Sequence, residues 1–114
     1  SYTPMTDEMD EFMRGLEIPI IVIDRDEPNW ADAVMANHFE GMKIATEHLL
    51  QLGHRRIALI TGNTALYPAR ERVRGFKEAF AARKLKIETG LIHTGSFQAG
   101  ALRGTKGAIR SIRR

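Results

Sequence analysis

The side chains of this sequence best suited to chemistry are a pair of aspartates, an arginine cluster and one phenylalanine. Asp24 and Asp26 follow the β-branched run Ile18-Pro19-Ile20-Ile21-Val22-Ile23. Carboxylates at the carboxyl end of a strand can bind hydroxyls or work as an acid and base pair. An Asp-rich turn that hydrogen-bonds its own backbone accounts for the same residues. Arg70-Glu71-Arg72 falls at the start of a helical stretch after Gly62. Cations in a first helical turn oppose the macrodipole by about a few tenths of a kcal/mol or more, so they belong there if they serve a ligand or a carboxylate. Arginine's planar fork can hold vicinal hydroxyls or a carboxylate through two hydrogen bonds; a solvated face paired with Glu71 or Glu78 is the plain alternative. Phe97 lies just past a short apolar run, where its ring could stack on a sugar or simply fill a core.

Other chemistries find little to work with. The sequence has neither Gly-x-Gly-x-x-Gly after a strand nor a Gly-x4-Gly-Lys-Ser/Thr phosphate cradle. It has no cysteine, which removes disulfides, thiolate nucleophiles and Cys-ligated zinc. His38, His48, His54 and His93 do not stand at metal-ligand spacings, and no serine occupies a Gly-x-Ser-x-Gly elbow. No catalytic residue, metal or cofactor is expected. The net charge of +3 comes from the tail, where Arg103, Lys106, Arg110, Arg113 and Arg114 occur with no acid, so the body of the chain is slightly acidic. That basic stripe could touch phosphates, but without interleaved aromatics or a reading motif it reads as a solvated face. At 114 residues the chain is one domain at most. No apolar run is long enough to span a bilayer and the acidic start Thr6-Asp7-Glu8 is unlike a secretion leader, so the expected location is the cytoplasm, with no membrane contact.

The elements that must position these residues follow from capping and periodicity. Thr6 caps a short helix with Asp7, Glu8 and Asp10 in its first turn and Gly15 at its end, amphipathic through Met9, Phe12 and Met13. The run ending at Asp24 is too continuous for a strand with one wet face and predicts a buried parallel strand. Arg25 to Ala33 is polar, carries Pro28 and Asn29, and reads as a connection in which Trp30 has no explanation. Asn37 and Glu40 form a capping-box pattern opening a helix over 37–52, with Met42, Ala45, Leu49 and Leu52 as its inner stripe and Gly53 as its stop. Ile57 to Thr61 is a second buried strand, followed by a helix entered through Pro68 with Val73, Phe76, Ala79 and Phe80 facing inward. Leu91 to Thr94 is a third strand, and a helix from about Ala99 carries Leu102, Ala108, Ile109 and Ile112 inward. Strands alternating with helices require crossovers, giving an α/β fold with a parallel sheet and helices on both faces. Its ligands lie beyond the carboxyl ends of the strands, at Asp24 to Asp26, Gly62 to Tyr67 and Gly95 to Gln98. Three strands leave two apolar edges bare, so more chain or a partner subunit is expected beside them.

Taken in order, Ile18 to Arg25, then Gly41, Ala45 to Leu49, Leu52 to Gly62, and Arg70 to Phe76 resemble the lactose/galactose-repressor family of transcriptional regulators, over about residues 16 to 98. That resemblance implies a partial type I periplasmic-binding-protein-like core of two Rossmann-like subdomains with a small effector in the cleft between them. Residues 1–33 would be the end of the first subdomain plus the hinge connection, and 34–114 the first half of the second. The helix-turn-helix headpiece that meets operator DNA is not in this sequence. By position, Arg72, three residues before Gly75, matches the family's effector-binding arginine, Phe97 an aromatic against the ligand, and Asp24 a cleft-lining acid. The chain departs from the family at Ala36-Asn37, where Asp-Asn is usual, at Ser96, where an acid is common, and at Leu102-Arg103, where a Gly-aromatic pair is frequent.

The expected function is therefore allosteric: a sugar-like effector or polyol gripped by Arg72 and Asp24 and stacked on Phe97 closes the core of a homodimer or higher oligomer and shifts its DNA affinity. A periplasmic sugar-binding component of a transporter shares the fold and cleft, and an upstream leader would identify it. A small α/β enzyme using Asp24 and Asp26 is the remaining alternative.

Overall fold

A computed structural model of the chain describes residues 5–95. The order is α1 (Asp7–Gly15), β1 (Ile21–Ile23), β2 (Asp32–Val34), α2 (His38–Gln51), β3 (Leu59–Thr61), α3 (Tyr67–Ala82) and β4 (Ile92–Thr94). The strands form two parallel pairs, β1 with β2 and β3 with β4, so the α/β class with parallel strands stands. The expected single sheet of three strands is replaced by two sheets. Phe97, the last expected helix with Leu102, Ala108, Ile109 and Ile112, and the basic stripe from Arg103 to Arg114 lie outside the described residues.

Local signals account for most element ends. The Thr6 hydroxyl accepts from the Met9 N–H at 3.2 Å, and Asn37 Oδ1 accepts from the Glu40 N–H at 3.0 Å, each satisfying a donor that the first turn leaves free. Gly53 ends α2 at φ +95°, a left-handed conformation that glycine adopts without strain. Pro68 sits in the first turn of α3, where its missing N–H removes nothing.

The core gathers where α2 and α3 cover β3. Leu50, Leu59, Phe76, Ala79 and Phe80 are buried together, with Met42, Ile57, Val73, Leu85, Ile87 and Ile92 packed around them. The Phe76 and Phe80 rings lie 5.2 Å apart between centroids. The inner stripe expected for α3 is the observed one. For α2 it is rotated: Thr46 and Leu50 are buried, while Ala45, Leu49 and Leu52 face outward. Thr46 can enter the core because its hydroxyl donates to the Met42 carbonyl at 2.8 Å, which removes the penalty for burying it.

The first sheet departs further from expectation. Asp32–Val34, inside the segment read as a connection, is a strand that pairs in parallel with β1. The burial expected for β1 holds only at Val22; Ile18, Ile21 and Ile23 are 60–70% exposed. A parallel strand is covered on both faces only where layers lie above and below it; the described residues supply β2 alongside. In α1, Met9 and Phe12 remain exposed, and Trp30 contributes the tie: its indole N–H donates to Asp10 at 2.7 Å while the Arg14 guanidinium lies 5.3 Å from its ring centre.

Helix α3 approaches α2 at Gly75, where an added Cβ would collide with the Phe39 carbonyl oxygen and lie 3.1 Å from the Lys43 nitrogen. Backbone cannot yield there as a flexible side chain would. Gly75→Ala should lower unfolding stability by about 2 kcal/mol through overpacking, although alanine is the better helix former by about 1 kcal/mol. Urea titration checks this; a variant as stable as the parent, or more so, would show that the helices can separate freely.

Candidate functional site

The site forms where β1 ends and where α2 and α3 begin. Asp24 follows the last residue of β1 and takes a left-handed backbone, φ 52°, a conformation aspartate tolerates better than most residues. Its N–H donates to the Val34 carbonyl at 2.9 Å, which continues the β1–β2 ladder by one step and holds the carboxylate over the start of α2. There Asp24 Oδ1 accepts from the Ala36 N–H at 2.9 Å and lies 2.9 Å from His38 Nε2. On its other side, His38 Nδ1 is 3.4 Å from an Arg72 Nη nitrogen. Three elements thus contribute a carboxylate, an imidazole and a guanidinium in a row, and Tyr67 adds an edge-on ring 6.3 Å from His38.

The electrostatics of Asp24 follow from these contacts. The Ala36 N–H, then the His38 hydrogen bond, outweigh partial burial, and with the nearby Arg72 guanidinium they hold the Asp24 carboxyl below its usual range. A carboxyl kept ionised in this way is a hydrogen-bond acceptor, and it is poorly matched to exchanging protons at neutral pH. Asp26 is engaged separately, in an ion pair with Arg70. The two aspartates considered as an acid and base pair therefore serve different partners.

Beside this row is a small, open recess lined by Asp24, Asp26, Leu66, Tyr67, Pro68 and Arg70 among others. Of the three turns expected to share a site, those after Asp24 and Gly62 line the recess, and Gly95, at the start of the third, is not among its lining residues. Of the two arginines, Arg70 lines the recess, while Arg72 is not among its lining residues and lies against His38. Asp24 and Arg72, both anticipated, are brought together through His38; Phe97 lies outside the described residues. The macrodipole argument weakens, because α3 starts at Tyr67 and Arg72 is its sixth residue, past the turn in which that effect is felt. Glu71 pairs with Arg74. Arg70, expected with Arg72 to serve a ligand or a carboxylate, pairs with a carboxylate, and Tyr67 ends one of the expected loops; His38 was not anticipated at the site. The one usable signal for His38 was its position directly after the Asn37 cap. At the end of β3 the Thr61 hydroxyl is buried without a hydrogen-bond partner among the described residues, where such sheets take their ligands. No group of three or more side chains able to hold a metal occurs among the described residues.

Known proteins share this arrangement of elements. Residues 46–113 match the family model described as periplasmic binding protein-like domain. The HTH-type transcriptional repressor PurR of Aliivibrio fischeri (strain MJ11) is 35% identical over 101 residues, which is 87% of this chain and 30% of the repressor. The crystal structure of a sugar-binding transcriptional regulator of the LacI family from Escherichia coli, complexed with phosphate, superposes with a TM-score of 0.68 at 26% identity, covering 92% of this chain and 38% of that one. A LacI family transcriptional regulator from Mycobacterium smegmatis gives a TM-score of 0.73 at 28% identity, covering 90% and 37%. The chain spans roughly a third of the length of these relatives.

Because the folded-state pKa of Asp24 lies below its unfolded value, its ionised form stabilises the fold above the unfolded pKa. That contribution is lost as pH falls through the folded value. Asp24→Asn, which keeps the shape and tolerates the left-handed backbone, should be less stable than the parent at neutral pH. The gap should close below about pH 4. Urea unfolding across pH measures it, and a gap that persists unchanged in acid would mean that the contacts of Asp24 do not depend on its charge.

Proposed function

This chain belongs to the periplasmic binding protein-like domain family, as a segment of the effector-binding core of a lactose/galactose-repressor regulator, and from that premise we propose that it forms part of a cleft whose closure on a small effector controls transcription. The observation that carries the reading is the convergence of Asp24, His38 and Arg72 from β1, α2 and α3 at the carboxyl end of a parallel strand. Residues 1–33 end the first subdomain and 34–114 begin the second; the break between the two sheets supports such a division, with Val34 going with the first because it pairs with Ile23. The polar recess lined by Asp24 and Arg70 suits a sugar or related polyol, whose hydroxyls such groups hold. Phe97 supplies the stacking face, as the family resemblance implies.

Operator DNA is met by a headpiece outside this sequence, in a cytoplasmic homodimer or larger assembly, and the core performs no reaction. The effector changes DNA affinity only by binding the closed and open states unequally. Isothermal titration of the intact-length protein against a panel of sugars should find a binder. Arg72→Ala should weaken it about tenfold or more, the value of hydrogen bonds to a charged group. The 114-residue chain alone should bind weakly or not at all, since half the cleft lies elsewhere. Tight binding by the isolated chain, or intact-protein binding untouched by Arg72→Ala, would place the site away from this row.

A further inference from the structure

His38 stands between two charged groups of opposite sign, and the geometry constrains where its proton can be. Asp24 Oδ1 is an acceptor 2.9 Å from Nε2, so Nε2 carries a hydrogen. The Arg72 guanidinium has only donors, and one of its nitrogens is 3.4 Å from Nδ1, so Nδ1 must present a lone pair. Both contacts are satisfied by the neutral Nε2–H tautomer and by no other state of the ring. We propose that neutral His38 is the positioning residue that holds Arg72 beside Asp24, and that a proton added at Nδ1 expels the guanidinium.

The groups facing His38 are Asp24 from the end of β1 and Arg72 and Tyr67 from α3. Asp26 and Arg70 form the adjoining ion pair, with Arg70 5.9 Å from the centre of the Tyr67 ring. Asp24 favours an imidazolium, but it already occupies Nε2. The incoming proton lands on the nitrogen that faces Arg72 and sets two donors and two positive charges against each other. His38 is largely enclosed, its side chain 12% exposed, so solvent does not screen that opposition as it would at a free surface. Arg72 has the longer and weaker of the two contacts and yields first. Binding of that proton therefore changes the readiness of Arg72 to meet an effector. This deepens the reading of Arg72 as the effector's arginine and rests on it.

Two measurements on the full chain, both without effector, test the proposal. In histidine-labelled protein near pH 8, two-bond proton–nitrogen correlations should show His38, identified by its absence in His38→Gln, protonated at Nε2 and bare at Nδ1. Phenylglyoxal modification, read by peptide mass spectrometry as the ratio of Arg72 to the exposed Arg83, should rise about threefold from pH 8 to pH 6. In His38→Gln the amide can give a hydrogen to Asp24 and its oxygen to Arg72 without titrating, so the ratio should stay low and flat. In His38→Phe it should be high and flat. Urea unfolding checks that each variant is folded; if His38→Phe is not, the glutamine variant decides. A hydrogen on Nδ1 near pH 8, or a parent ratio that ignores pH, overturns the proposal. That failure would leave the cleft itself to be judged by titration with Arg72→Ala.

Discussion

The close approach of α2 and α3 at Gly75 is the constraint from which the rest follows. With no side chain at that position, the backbone of α3 lies against the Phe39 carbonyl and the Lys43 nitrogen. Both helices then reach β3 with their apolar faces, and Leu50, Phe76, Ala79 and Phe80 close into one core over Leu59. The same contact sets the register between the helix starts. His38 lies one residue before Phe39, and Arg72 lies one helical turn before Gly75, so the approach that packs the core also brings imidazole and guanidinium within 3.4 Å. Arg74 covers the seam, its guanidinium 3.8 Å from the centre of the Phe39 ring, a geometry in which cation and ring attract.

The second condition is the extra ladder step beyond β1. Asp24 donates to Val34 and turns left-handed, so its carboxylate faces the Ala36 N–H and His38 rather than continuing along the strand. The chain departs here from the usual Asp-Asn of the resembled family, with Ala36 before the Asn37 cap. The contact survives because Ala36 contributes its backbone N–H, which any residue other than proline provides.

What was legible in the sequence was what local chemistry decides. Thr6 and Asn37 cap as their types demand, Gly53 stops α2, Pro68 opens α3, and the α3 stripe is apolar at the right spacing. The misses share a physical cause, since each depends on a contact that residue type alone does not announce. Asp32-Ala33-Val34 has one β-branched residue and follows a proline, so only pairing with β1 makes it a strand. Thr46 is polar by type, and only its bond to the Met42 carbonyl admits it to the core; the rotation of the α2 stripe follows from that. Trp30 had no visible partner because Asp10 and Arg14 stand on a separate helix. At the site, Asp24 and Arg72 were visible as types at meaningful positions, whereas a single histidine carries no spacing signal. His38 gains its role from the strand end on one side and the helix on the other.

That dependence says something about how such a site can work. Asp24 belongs to the first sheet by its bond to Val34, whereas His38 on α2 and Arg72 on α3 both belong to the second unit, so the Asp24–His38 bond and the Asp26–Arg70 ion pair are what join the two. A movement of one unit relative to the other must therefore lengthen the Asp24–His38 contact, together with the Asp26–Arg70 pair. Within the second unit, the 3.4 Å contact leaves the Arg72 guanidinium more weakly held than the charge-assisted bond holds Asp24. A ligand offering acceptors to that guanidinium competes with a single neutral nitrogen rather than with a carboxylate, and the barrier to recruiting it is low. An arginine paired directly with Asp24 would be held more tightly and would answer an effector less readily. The imidazole between them keeps the two charges close while leaving one of them easy to release.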